Sequence, residues 1–193
     1  PRRQRPRHPA RHRRRTISPA ADHDPCGSRR RQRHPRVLDA RDVAVDKFGN
    51  VYFSKGASVY KLAGTASPLV YAGDGSFGVI KEMVDAGLAY LQGPMSVALD
   101  DMGNLYVAEQ LGKRVRRVTS AGTIYTYAGG GGPQLGDNGP ADKATLYNPA
   151  ALAFDAFTGL RIADSLGSRV RSVDSSGIIR TVAGDGEYGF KGD

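Results

Sequence analysis

Three aspartates that each close a short hydrophobic run, Asp46, Asp100 and Asp155, stand 54 and 55 residues apart. A second anchor keeps the period: Ala72-Gly73-Asp74-Gly75, Ala128-Gly129-Gly130-Gly131 and Ala183-Gly184-Asp185-Gly186. A third sets Leu91-Gln92-Gly93-Pro94 against Leu146-Tyr147-Asn148-Pro149, again 55 apart. Three anchors at one period define a true repeat, which restricts the chain to architectures that stack like units.

Within a unit the pattern is short strands and turns. Val97 and Leu99 alternate with Ala98 and Asp100, the period of two that marks a strand. Asp101-Met102-Gly103-Asn104 is a turn, and Leu105-Tyr106-Val107 a second strand. Val115 to Val118 is the third, and Thr123 to Tyr127, after Ser120-Ala121-Gly122, the fourth. The third unit repeats this order. Four short antiparallel strands per repeat make a β-propeller blade. The chain is expected to be all-β, with blades at about 40–76, 94–132 and 149–186. The predicted blade core is Val43, Val45, Val51, Phe53, Val97, Leu99, Leu105, Val107, Leu152, Phe154, Leu160 and Ile162. Three blades would form an open arc of a ring of about six. The final residues resemble the start of another crossing, so the arc is expected to aggregate or to pair with a second copy.

Charge divides the chain. Residues 1–36 hold 13 of the 28 Lys and Arg, the single cysteine, Cys26, and all four histidines. This stretch is rich in Arg and Pro and poor in apolar residues, so it is expected to be disordered. Three readings stay open: a wrongly framed or spliced segment, a solvated linker, or a polyanion-binding arm. Residues 37–193 carry 15 bases against 17 acids, and no Cys or His. That excludes a disulfide framework, a Cys/His zinc site and a Ser-His or Cys-His pair from the body. No apolar run approaches the length of a membrane-spanning helix.

The runs GPMSVALDDMGNLYVAEQLGKRVRRVTSAGTIYTYAGGGG (93–132) and PAALAFDAFTGLRIADSLGSRVRSVDSSGIIRTVAGDGEYGFKGD (149–193) resemble NHL repeats. The crossing GDNGPADKATLYNP (136–149) is similar to the linker of bacterial and teneurin-type members. Blade 1 departs from the pattern, with Gly56-Ala57-Ser58 where the others have a longer polar turn. The resemblance implies a propeller, usually of six blades, acting as a binding or sensor domain, more rarely as an RNA-binding domain, a lyase or a lactonase. It favours an extracellular or periplasmic setting, though cysteine usage does not distinguish compartments. The peptide-amidating lyases among these relatives use histidine-held metal, which a body without histidine cannot supply.

Several residues are candidates for a site. Glu109 and Arg114 flank one loop, and Asp164 and Arg169 the matching loop of the next unit. In blade 1 acid and base are lost together, which suggests that each pair is one structural ion pair. A ligand-binding acid near the propeller axis is the rival reading. Lys113, Arg114, Arg116 and Arg117 cluster as a basic surface that RNA phosphate would fit, but the body is slightly acidic and a solvated strand face accounts for them more simply. Tyr90 and Tyr147 precede blades, are expected to be exposed, and with Lys113, Arg116 and Arg117 are the candidate binding surface; Tyr52, Tyr106, Tyr125 and Tyr127 should pack blade on blade. Asp74, Asp137, Asp185 and Asp193 lie in glycine loops too sparse in carboxylates for calcium. No cofactor is expected. The function that emerges is a non-catalytic scaffold or sensor for a protein or small ligand. A lyase or lactonase is the alternative, and RNA binding through residues 1–36 a second.

Overall fold

The turn that opens each blade is built by one carboxylate. In the computed structural model, which describes residues 39–187, Asp46 accepts hydrogen bonds from the backbone amides of Phe48 and Asn50 and from the Asn50 side chain. Asp100 does the same for Met102 and Asn104. Gly49 and Gly103 supply the positive φ, +79° and +80°, that the tight reversal needs. Blade 3 solves the problem differently: Thr158 stands where the others have Gly, and its amide and hydroxyl both donate to Asp155.

These turns join strands into three antiparallel sheets. The first contains β1 (Val43–Val45), β2 (Val51–Lys55), β3 (Ser58–Leu62) and β4 (Leu69–Ala72), in that order. The second contains β5 (Val84–Asp85), β6 (Pro94–Leu99), β7 (Leu105–Glu109), β8 (Arg114–Val118) and β9 (Thr123–Gly129), ordered β5-β9-β8-β7-β6. The third contains β10 (Gly139–Pro140), β11 (Pro149–Asp155), β12 (Gly159–Asp164), β13 (Arg169–Val173) and β14 (Ile178–Ala183), ordered β10-β14-β13-β12-β11. This is a partial β-propeller of three blades. The segment leading into blades 2 and 3 contributes a short outer strand, β5 or β10, a fifth strand that the sequence pattern alone did not suggest. Residues 1–36, expected to be disordered, lie outside the described residues.

Successive strand residues point to opposite faces of a sheet, and the two faces of each blade differ. The face toward the preceding blade is aliphatic: Val97, Leu105, Val107, Val118 and Ile124 in blade 2, and Leu160, Ile162, Val173 and Ile179 in blade 3, all buried. The face toward the following blade carries Ala, Tyr and a cation. Tyr52 and Val59 pack against blade 2, while Ala98, Tyr106 and Val115 pack against blade 3. Tyr106 stacks on Phe154 across the second interface, with ring centres 5.7 Å apart. Linker residues Ala86, Ala89 and Leu91, and then Ala141, Ala144 and Leu146, complete the two cores.

The predicted core needs one correction. Val43 and Val45 are 57% and 60% exposed, because among the described residues no blade precedes the first sheet. Phe53, on that same face, is buried and stacks with Tyr60 at 5.4 Å.

The repeated glycine anchor marks a close backbone approach. Gly73, Gly129 and Gly184 have φ of +83°, +81° and +84°, and a Cβ on each would meet the carbonyl of Ala57, Lys113 or Ser168. Gly129→Ala therefore combines an unfavourable φ with a backbone clash, a cost on the order of 2 kcal/mol. Its denaturant midpoint should fall accordingly, with the slope unchanged. Gly122 has φ +88° and open space around it, so Gly122→Ala should cost less than Gly129→Ala.

Candidate functional site

Two regions bear on function: the blade ends where β7 meets β8 and β12 meets β13, and the opposite rim formed by the opening turns. At the blade ends, Glu109 faces Arg114 and Asp164 faces Arg169 across paired strands. The expected direct bonds between them do not form. Asp164 is fully buried and accepts the backbone amides of Tyr147 and Asn148, at 3.0 and 2.6 Å, fixing the chain as it enters blade 3. Arg169 instead donates to the carbonyls of Gly167 and Asp185, at 2.9 and 2.6 Å. Arg114 donates to the Gly112 carbonyl and the Thr126 hydroxyl. Loop carbonyls lie within reach of the guanidiniums, and turn amides within reach of the Asp164 carboxylate, so Arg114, Arg169 and Asp164 are each satisfied locally.

The ion pair of Glu109 is with Arg116, at 3.9 Å, and both side chains are completely buried. Arg116 also donates to the Lys81 carbonyl at 2.6 Å and pairs with Glu82 at 3.4 Å. Glu82 in turn accepts the amide and hydroxyl of Thr126. Arg171 repeats the device in blade 3, donating to the carbonyls of Thr145 and Leu135 and pairing with Asp137 at 2.7 Å. Each of these arginines clasps the linker that leads into its own blade. Arg116 is thus no part of a basic surface.

Arg117 points to the other face, as strand alternation requires. It is partly buried, donates to the Tyr125 hydroxyl at 3.0 Å, and lies 5.8 and 5.9 Å from the ring centres of Tyr106 and Tyr127. Lys61 sits over Tyr52 and Tyr71 in the same way. Burial pushes the Tyr106, Tyr127 and Tyr71 phenols up. Of the expected basic cluster, Lys113 is exposed, Arg114 and Arg117 are partly buried, and Arg116 is fully buried. The structure therefore does not bring Lys113, Arg116 and Arg117 onto one surface. Tyr90 is half-buried beneath the Lys81 ammonium, and Tyr147 is 42% exposed. Among the described residues no group of three or more His, Cys, Asp or Glu comes together to hold a metal ion.

The rim was not singled out in the sequence. Phe48, Met102 and Phe157 each stand two residues after an anchored aspartate, and each has its backbone amide bonded to that carboxylate at 2.9 to 3.1 Å. Their side chains are 79%, 73% and 96% exposed. Val45, Phe48, Leu99 and Met102 line a cleft between the first two turns together with Asp46, Lys47, Asp100 and Asp101. The 54- and 55-residue spacing that anchors the aspartates also carries these three apolar positions, so the signal was present in the repeat.

Burial pushes the Glu109 carboxyl up to about 7 from an ordinary 4.5, with Arg116 pulling the other way. The folded protein then holds a proton that the unfolded chain has released. The Glu109 contribution to stability should be greatest below pH 4.5 and be lost as pH rises to about 7, by an amount on the order of 3 kcal/mol. Glu109→Gln should flatten this segment of the curve, as urea midpoints measured at intervals between pH 4 and pH 8 would show. An unchanged slope in the variant would place the titration elsewhere.

The sequence matches no family model and no curated protein. Solved structures share its fold. A putative phosphatase from Bacteroides thetaiotaomicron superposes with a TM-score of 0.57 at 17% identity, over 74% of this chain and 35% of its own. An auxiliary nutrient binding protein from Bacteroides ovatus gives 0.52 at 21%, over 63% and 34%. A putative gluconolactonase gives 0.52 at 14%, over 74% and 48%. The neighbours are β-propellers, and this chain spans between about a third and a half of the length of these three.

Proposed function

We propose that the chain is an NHL-type propeller segment whose role is binding, and that the rim of opening turns contacts a protein partner. The observation that carries this reading is the row of Phe48, Met102 and Phe157. Exposed apolar side chains recurring at one structural position differ from the scattered exposure that any surface shows. Their presentation is rigid, because the aspartate bonds fix the backbone amide of each residue. Little ordering entropy would be lost when a partner covers them. The charged side chains at the blade ends support the same reading, since Asp164, Arg169, Arg116 and Arg171 are engaged with backbone groups of linkers and loops. The known propellers of this shape include proteins named for binding and proteins named for catalysis, so shape alone does not choose between them.

The partner is expected to present an apolar surface that takes an aromatic side chain, with the cleft between Phe48 and Met102 accepting one of its own side chains. Rim arginines are absent from the lining of that cleft, so a polyanion is a poor fit there. The test is a triple substitution, Phe48→Ser, Met102→Ser and Phe157→Ser. It should leave the unfolding midpoint within about 0.5 kcal/mol of the parent, as exposed positions do, and reduce binding at least tenfold in quantitative pull-downs. A parallel screen for turnover of lactones and streptogramin-like cyclic esters with added Ca²⁺, Mn²⁺ or Zn²⁺ addresses the enzymatic alternative. Reproducible turnover that survives the triple substitution would overturn the binding reading.

A further inference from the structure

Blade 1 joins its second and third strands by a shorter turn than the other blades do. Lys55 pairs with Ser58, leaving two residues between them, whereas Glu109 pairs with Arg114 and Asp164 with Arg169, leaving four. A Cβ on Gly73 would meet the Ala57 carbonyl, as one on Gly129 would meet that of Lys113. Ala57 therefore holds the place of Lys113, and the residues without a counterpart are Leu111 and Gly112. The departure of blade 1 seen in the sequence is thus the loss of an exposed leucine that the turns of blades 2 and 3 present, Leu111 and Leu166.

Successive turns of an antiparallel sheet lie at opposite ends, so this one is remote from the rim of Phe48, Met102 and Phe157. There a cleft of about 380 Å³ lies between blades 1 and 2, a volume within the range of small-molecule sites. Gly56 and Ala57 line it on the blade 1 side, and Gly93 at the entry to blade 2. None of the three carries more than a methyl group. Gly93 has a φ of +67°, and a Cβ there would come within 2.9 Å of the Leu111 side chain, so the backbone at this point must stay bare. Phe77 from the linker and Leu111 from the blade 2 turn supply apolar walls and are 75% and 69% exposed.

Arg41 is the one charged residue that lines this cleft. It is exposed, and its Nη1 lies 3.5 Å from the Pro94 carbonyl and 3.3 Å from the Met95 sulfur. Both neighbours are uncharged, and the bond to the carbonyl is long. Among the described residues no carboxylate pairs with Arg41, whereas Arg116, Arg171 and Arg180 each meet an acid. The repeat places Met95 and Ala150 where blade 1 has Arg41, so the guanidinium is particular to this junction and is not required by the blade. The Gln110 carboxamide lines the same space.

We propose that this cleft binds a small organic acid, a single carboxylate on a flat apolar body. The guanidinium fork matches a carboxylate through two parallel hydrogen bonds, and the Gln110 amide is a further donor. The apolar body lies against Phe77 and Leu111, over glycine backbone that leaves it room. One cation in an otherwise neutral lining suits one negative charge, and a phosphate dianion would lack a second. Salt screens an exposed arginine acting alone, so the apolar contact is needed to hold the acid. The site stands apart from the proposed rim contact, and either holds without the other.

The test is isothermal titration calorimetry of the full 193-residue chain with hydrocinnamate, phenylacetate and indoleacetate in physiological salt. At least one of the three should bind saturably at a single site. Residues 1–36 are rich in bases, so acetate controls for charge alone, and the amide of the binding acid for the apolar body alone. Each control should bind weaker by about tenfold or more. Arg41→Gln and Phe77→Ser should each cost a similar factor, and the triple substitution at the rim none. Both positions are exposed, and far-UV circular dichroism checks that the variants are folded. Saturable binding by none of the three acids overturns the proposal. So does an amide as tight as its acid, or affinity unchanged in Arg41→Gln. A blocked dipeptide ending in phenylalanine carries the same carboxylate on a peptide, and tighter binding of it than of every free acid overturns the small-acid reading in favour of a chain terminus.

Discussion

The entry into blades 2 and 3 depends on a buried guanidinium in the third strand of each, Arg116 and Arg171. A linker between blades carries unpaired carbonyls that must be satisfied when it is laid against a sheet edge. Arg116 and Arg171 do this from inside the blade, reaching Lys81 in one linker and Leu135 and Thr145 in the other. Removing a charge from water is costly unless hydrogen bonds and an opposite charge compensate. Glu82 and Asp137 supply the opposite charge, each from the linker that is being held. The clasp thus fixes the path of the linker, which sets where the innermost strand of the blade begins.

The two clasps are not equivalent. Arg171 leaves one buried nitrogen, Nε, without a hydrogen-bond partner, whereas Arg116 leaves Nε and Nη1, and both oxygens of its neighbour Glu109 are also unpartnered. The difference traces to a single methylene. Asp164 is short enough for its carboxylate to meet the amides of residues 147 and 148, which turns an acid at the blade end into a structural acceptor. Glu109, one carbon longer at the same place, lies 3.9 Å from Arg116, and burial pushes it toward neutrality against the pull of Arg116 and the Gln92 backbone. Blade 2 therefore holds the least satisfied polar cluster of the two clasped blades, beneath a surface that is otherwise well packed.

Much of this was legible in the sequence, and the remainder was hidden for identifiable reasons. Period-two alternation with Gly and Asp punctuation gave the strands, their order and the three-blade array, because both signals are local. Tyr52, Tyr106 and Tyr127 pack between blades as their strand positions predict, whereas Tyr125 is only partly buried and accepts a hydrogen bond from Arg117. The charge partners were misjudged: Glu109 and Arg114 do face each other across β7 and β8, but register does not say which carbonyls a guanidinium will find first. Arg116 and Arg117 are adjacent in the chain and so read as one patch, although a strand must send them to opposite faces. The outer strands β5 and β10, two residues each, are too short to leave a hydrophobic pattern.

The rim follows a different logic from the blade ends. Where Arg116, Arg169 and Arg171 act, side-chain identity is tied to folding, because each group satisfies backbone that would otherwise be buried without partners. In the opening turns the second residue after the aspartate is held by that carboxylate through its backbone amide, not its side chain. That bond constrains the direction of the side chain and leaves its chemistry open. Turn residues are usually polar, since nothing in the turn shields an apolar group from water. Phe48, Met102 and Phe157 pay that exposure with no return from folding, at three sites spaced by the repeat. An apolar residue gains from such a position only when another surface covers it, which is the ground for proposing a partner at the rim, whereas Arg116, Arg169 and Arg171 at the blade ends are turned inward to linker and loop backbone.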